Sequence, residues 1–111
     1  MKIYGNMMTW CEKNQILISL PGARKIYQRK QYTIYQVRNG YIIHNINKDF
    51  EKGHTHVKSF HKAKSLIDLC VRSKLPNKPI NWEIERLLRI SNDKRYKNKL
   101  QKLIGGDNNE Y

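Results

Sequence analysis

Apolar positions along this chain recur with two different periods. From residue 32 to 47 the run YTIYQV-RNG-YIIHNIN alternates β-branched and aromatic residues with polar ones and is broken at Asn39-Gly40. Asn-Gly favours a two-residue type I′ turn, whose central residues both need positive φ. The pattern therefore predicts a β-hairpin with strands near 32–38 and 41–47. A two-residue loop pairs Arg38 with Tyr41, Val37 with Ile42, Gln36 with Ile43 and Tyr35 with His44. Alternation then places Thr33, Tyr35, Val37, Ile42, His44 and Ile46 on one face. It places Tyr32, Ile34, Gln36, Arg38, Tyr41, Ile43 and Asn45 on the other. Each set has enough apolar surface to be buried, and the pattern leaves open which one is.

Past the hairpin, KDFEKG reads as a loop ending at Gly53, and HTHVKS as a short third strand. The period then changes to that of a helix. Phe60, Ala63, Leu66, Ile67, Cys70 and Val71 form one apolar stripe over a helix near 60–74, with Ser59 as its N-cap. LPNKP breaks the chain. Asn81 is placed to cap a second helix over 82–90, with Ile84, Leu87 and Leu88 inward. Glu83 and Glu85 fall in its first turn, where the positive end of the dipole favours acids. A third helix, near 93–104, starts at Ser91 or Asn92, carries Tyr96, Leu100, Leu103 and Ile104 on one side, and stops at Gly105-Gly106. Residues 1–23 give little pattern beyond QILISL, an apolar run of strand length closed by the turn pair Pro21-Gly22.

These elements predict an α+β fold. A small antiparallel sheet, made of the β-hairpin plus a third strand, packs on a helix and is followed by two further short helices. At 111 residues the chain is expected to form a single domain over 1–111. It divides into an N-terminal basic segment (1–31), a βββα unit (32–75), a helical part (76–104) and a polar tail (105–111).

Charge changes the picture most. Lys and Arg number 22 against 9 Asp and Glu, a net of +13, and Glu12 is the one acid among the first forty residues. Such a field attracts polyanions. No apolar run approaches the ~20 residues that cross a membrane, and the first residues lack the apolar core of a secretory signal. The expectation is a cytoplasmic protein with reduced thiols and no membrane partner. Cys11 and Cys70 match no CxxC pattern, and Cys70 on its apolar stripe reads as a buried structural thiol.

Histidine is the candidate chemistry. His54, His56 and His61 fall within eighteen residues, GHTHVKSFHKAKSLIDLC, and His44 lies just upstream. Three imidazoles can hold a zinc with an open position. His-x-His on a strand is also the metal-binding element of the HUH nicking endonucleases. There the middle residue is hydrophobic, whereas here it is Thr55, and residues 60–74 offer no Tyr nucleophile. The His and Asn positions of an HNH nuclease cannot be laid on this stretch, and a two-histidine phosphoesterase pattern is incomplete. GxGxxG, Walker A and HExxH are absent. The chain therefore reads as a non-enzyme with no catalytic residues, no metal and no cofactor, its histidines being polar strand residues on a basic surface.

The residues expected to meet a polyanion are Arg24, Lys25, Arg29 and Lys30 before the hairpin, Arg38 and Tyr41 on it, and Lys58, Lys62 and Lys64 around the first helix N-terminus. Aromatic rings beside cations on a sheet can stack bases and hold phosphates, and the Tyr32, Ile34, Gln36, Arg38, Tyr41 face is one such surface. Lys94, Arg95, Lys97, Lys99 and Lys102 add a charged helix face. The hairpin and helix over about 32–75 resemble the layout of AP2-like DNA-binding domains, in which a three-stranded sheet packed on a helix enters the DNA major groove. The stretches GYIIHNINKDFEKGHTHVKSFHKAKSLIDLCVRSKLP and LLRISNDKRYKNKLQKLI make residues 32–104 similar to small uncharacterised proteins of Firmicute phages and mobile elements. That resemblance implies a basic protein that binds nucleic acid, DNA ahead of RNA. The alternative is a phage-encoded, anti-CRISPR-like inhibitor that binds an acidic surface of a host nucleic-acid-handling protein.

Overall fold

The alternating run forms the expected hairpin, Tyr32–Val37 against Gly40–Asn45, but its turn is Arg38-Asn39 and not Asn39-Gly40. In this computed structural model the chain is described at residues 6–11, 16–21, 23–78 and 80–105, with side chains over 23–78 and 80–104. The element order is β1 (Asn6–Cys11), β2 (Ile16–Pro21), β3 (Arg24–Arg29), β4 (Tyr32–Val37), β5 (Gly40–Asn45), α1 (Phe50–Gly53), β6 (His54–Val57), α2 (Phe60–Arg72), α3 (Asn81–Ile90) and α4 (Lys94–Gly105). The fold is α+β. Antiparallel β3-β4-β5-β6 make a four-stranded sheet, and β1 pairs with β2 as a separate two-stranded one. The fourth strand is RKIYQR, which sequence alone left as a basic lead-in. It pairs with β4 through a bulge between Lys25 and Tyr27. The expected loop KDFEKG contains the short helix α1. Of the expected tail, residues 106–111 lie outside the described residues.

The hairpin register is displaced by two residues from expectation: Gln36 opposes Tyr41, Ile34 opposes Ile43 and Tyr32 opposes Asn45. Neither Arg38 nor Asn39 has positive φ, so the turn is not type I′. Gly40 instead is the first residue of β5, at φ +148°, and a Cβ there would stand 2.7 Å from the Val57 carbonyl oxygen. Its missing side chain is used for the approach of β6. Side chains alternate with period two, so a slip of two leaves every residue on its expected face.

The face of Tyr32, Ile34 and Ile43 meets the helices. With Val57, Ala63, Leu66, Ile67, Ile84, Leu87, Ile90 and Leu100 these residues form the main core. The opposite face is also covered: Tyr35, Ile42 and Ala23 form a smaller cluster with Val37 and Phe50. Tyr32 and Ile34 are thus core residues and cannot serve as an open stacking surface; Gln36, Arg38 and Tyr41, toward the hairpin end, stay at least partly accessible from that set. Cys70 is buried beneath Tyr32, and burial pushes its thiol up to about 12.

Helix boundaries follow the sequence signals closely. Ser59 accepts a hydrogen bond from the Lys62 backbone N–H and caps α2, as expected. The N-cap of α3 is Ile80 rather than Asn81 and makes no side-chain cap bond. At α4 the cap function passes to Asp93, whose carboxylate accepts from the backbone N–H groups of Arg95 and Tyr96. Asn45, fully buried, ties the sheet to the end of α3. Its Nδ2 donates to the Ile90 carbonyl at 2.8 Å and to Asn92 Oδ1, and its Oδ1 accepts from Asn47 N–H. Lys48 reaches the same helix end, with Nζ 2.8 Å from the Arg89 carbonyl. No helix among the described residues is long and apolar enough to cross a membrane.

Candidate nucleic-acid interface

A groove of about 500 Å³ opens where the β4–β5 turn, β6, the start of α2 and α3 meet. Its apolar wall includes Tyr41, Val57 and Trp82, Lys58 and Arg86 supply its positive charge, and Lys62 joins them paired with Glu83. Each part has a local cause. Tyr41 sits at the edge of the core and packs on Phe60, with ring centroids 5.8 Å apart. Lys58 lies between β6 and the α2 cap and is exposed. Trp82 occupies the first turn of α3 outside the stripe of Ile84, Leu87 and Ile90, which leaves it 40 % exposed.

Arg86 and Lys62 are held rather than loose. Arg86 lies one helical turn after Trp82, its guanidinium carbon 4.8 Å from the indole centroid. It donates to the carbonyls of His56, at 3.1 Å, and Trp82. Lys62 is 5.7 Å from the same indole centroid and 2.7 Å from Glu83 Oε2. Outward from Tyr41 the aromatic row continues through Phe60 to Tyr27, centroids 6.0 Å apart, and Lys64 stands over both rings at 5.3 and 5.4 Å. A cation over an aromatic face is attracted by the ring quadrupole, so these contacts fix where the charge sits.

Of the residues singled out by sequence, Tyr41, Lys58 and Lys62 line the groove, with Lys64 beside it on the aromatic row. Arg38 is exposed in the adjoining turn. The β3 group is distributed differently. Arg24 donates to Gln36 and Lys25 to Gln28, and Lys30 takes the left-handed position of the β3–β4 turn. Arg29 is paired with Asp68 at 2.8 Å, each side chain 38 % exposed; the hydrogen bond holds the Asp68 carboxyl below the usual carboxylate range. Arg29 therefore offers less charge to a ligand than composition suggests, and the same holds for Lys62 in the groove, paired with Glu83 at 2.7 Å. Lys94, Arg95, Lys97, Lys99 and Lys102 belong to α4. Sequence reading missed Trp82 and Arg86. Their i,i+4 spacing off the apolar stripe of an amphipathic helix was the available signal.

The histidines have separate fates. His44 is fully buried; its Nε2–H donates to the Lys48 carbonyl at 3.0 Å, which leaves Nδ1 as an acceptor with no partner among the described residues. Burial lowers its pKa, the Lys48 carbonyl opposes that, and neighbouring His54 lowers it further. His54 donates from Nδ1 to the Phe50 carbonyl and stacks on the Phe50 ring at 4.3 Å, and burial again lowers its pKa. His56 is exposed and reaches the groove; His61 is exposed on α2. Among the described residues no three His, Cys, Asp or Glu side chains group to hold a metal ion.

Comparison with protein-family models, with curated proteins and with solved structures finds no match for this chain.

Proposed function

We propose that this chain is a non-enzymatic nucleic-acid-binding protein, of phage or mobile-element origin as the resemblance over residues 32–104 implies. One observation carries the reading. Lys58, Lys62 and Arg86 border a groove that also presents Tyr41 and Trp82, in a chain of net charge +13. Cations there meet phosphates and the rings meet bases. Affinity then comes largely from counterion release and falls steeply as salt rises. Mobility shifts on DNA and on RNA across a salt series test it. Binding that weakens between 50 and 200 mM salt is expected; no shift at low salt with micromolar protein ends the proposal.

A second reading has its own observation. Leu75 and Ile80, 37 % and 45 % exposed, share a surface depression of about 510 Å³ with Arg72, Lys74 and Lys78 and with the acids Asp68 and Glu83. An exposed apolar area with mixed charge around it suits a protein surface, as an inhibitor of a host nucleic-acid-handling protein would need. A complex that survives nuclease treatment and is lost in Leu75→Asp with Ile80→Asp, while nucleic-acid binding is absent, favours this reading over the first.

A further inference from the structure

We infer that the groove takes unpaired bases, so that single-stranded nucleic acid is the preferred ligand. This rests on the nucleic-acid reading and narrows it. Three features lead here. First, the charge borders a concavity. Readers of duplex sequence push a helix or strand ribbon into a major groove about 12 Å wide. Here Lys58, Lys62 and Arg86 surround a recess of about 500 Å³, of a size that admits small planar groups and not a double helix.

Second, the recess has stacking surfaces. Trp82 keeps 40 % of its surface exposed, and the Arg86 guanidinium beside it is already fixed by the carbonyls of His56 and Trp82. Bases stack on both aromatic rings and guanidinium planes once they are free of a duplex partner. Asn39, in the lining, carries an amide that can both donate to and accept from a base edge. Third, the row from Tyr41 through Phe60 to Tyr27, with Lys64 over its far end, continues the pattern away from the recess. Rings in succession beside cations give a strand more than one seat, and such stacking tolerates any base sequence.

The test is anisotropy titration of the full chain, at one low salt concentration, against a labelled single strand without self-pairing and a duplex of the same length and sequence. The single strand is expected to bind at least about tenfold tighter. Trp82→Ala should weaken the single strand about tenfold and leave duplex affinity within about twofold, while Trp82→Phe recovers most of the loss. Equal or tighter duplex binding overturns this inference and leaves the nucleic-acid reading standing. So does a Trp82→Ala loss of equal size on both ligands. No binding to either ligand overturns the nucleic-acid reading itself, and this inference with it.

Discussion

Arg89 donates from Nε to the carbonyl of His54 at 2.8 Å, closing the outer edge of the sheet. β6 is an end strand, so the carbonyls of His54 and His56 have no neighbouring strand among the described residues. α3 lies alongside and supplies an arginine to each: Arg89 to His54 and, one turn earlier, Arg86 to His56. Arg89 also donates from Nη2 to the Glu51 carbonyl at 2.7 Å. Uncovered edges invite pairing with another chain. Arg89→Met keeps the aliphatic stem and removes the donors. It should cost about 1–2 kcal/mol in chemical denaturation and increase association in sedimentation at high concentration.

Asn45 binds the sheet to the end of α3 with every polar atom satisfied. Removing one partner leaves the others orphaned in a buried place, which costs more than the bond itself contributed. Asn45→Ala should lower unfolding free energy by about 2–3 kcal/mol. A denaturation midpoint equal to that of the unaltered chain counts against this role.

Gly40 faces the Val57 carbonyl with no room for a Cβ and with φ at +148°. Gly40→Ala forces the β5–β6 pairing apart and should destabilise by about 1–3 kcal/mol. The same change moves Tyr41 and Val57, so single-strand affinity should fall with it. Thermal melts and binding titrations of the one variant check both parts.

Protonation offers a fourth handle on the sheet. His44 and His54 both titrate below the ordinary value of 6.5, chiefly through burial. Below that value the unfolded chain takes up protons that the folded one refuses, so stability is complete above about 6.5 and declines as pH falls. The buried His44 Nδ1 has no acceptor for an added proton among the described residues, and His54 adds like charge beside it, as His56 and Arg89 do for His54. Urea denaturation at pH 7.5 and pH 5.5 should show lower stability at the acid value, with a smaller difference in His44→Leu.

Charge location separates the two groups of cations. Lys58→Ala and Arg86→Ala should each weaken nucleic-acid binding several-fold and reduce the salt slope by about one. Arg29→Ala should change it little, because Arg29 is paired with Asp68. An Arg29→Ala loss as large as the Arg86→Ala loss relocates the interface to β3.

The sequence carried the fold further than the site. Strand alternation between Tyr32 and Asn45 and the stripes at Ala63–Cys70 and Ile84–Leu87 led directly to the observed layers, because burial enforces periodicity. Even the displaced turn preserved the faces. Two things were hidden. RKIYQR lacks an alternating pattern since its bulge at Ile26 breaks the period, so its strand showed only as charge. The burial of both sheet faces could not be read either: Tyr35 and Ile42 look as apolar as Ile34 and Ile43. As for the groove, Lys58, Lys62 and Tyr41 were visible as residue types. Arg86 and Trp82 reach them across a tertiary contact, with nineteen residues of chain between Lys62 and Trp82, and linear spacing does not encode that meeting.

Cys70 sits under Tyr32 at the junction of α2 and the sheet, protonated and shielded. It is thereby a built-in clock for the lifting of that helix. An alkylating reagent can reach the sulfur only while the layers are parted, so the labelling rate of the peptide bearing it reads the frequency of that parting. A bound ligand that clamps α2 to its neighbours would slow the clock, and the slowing needs no dye or engineered probe to be seen.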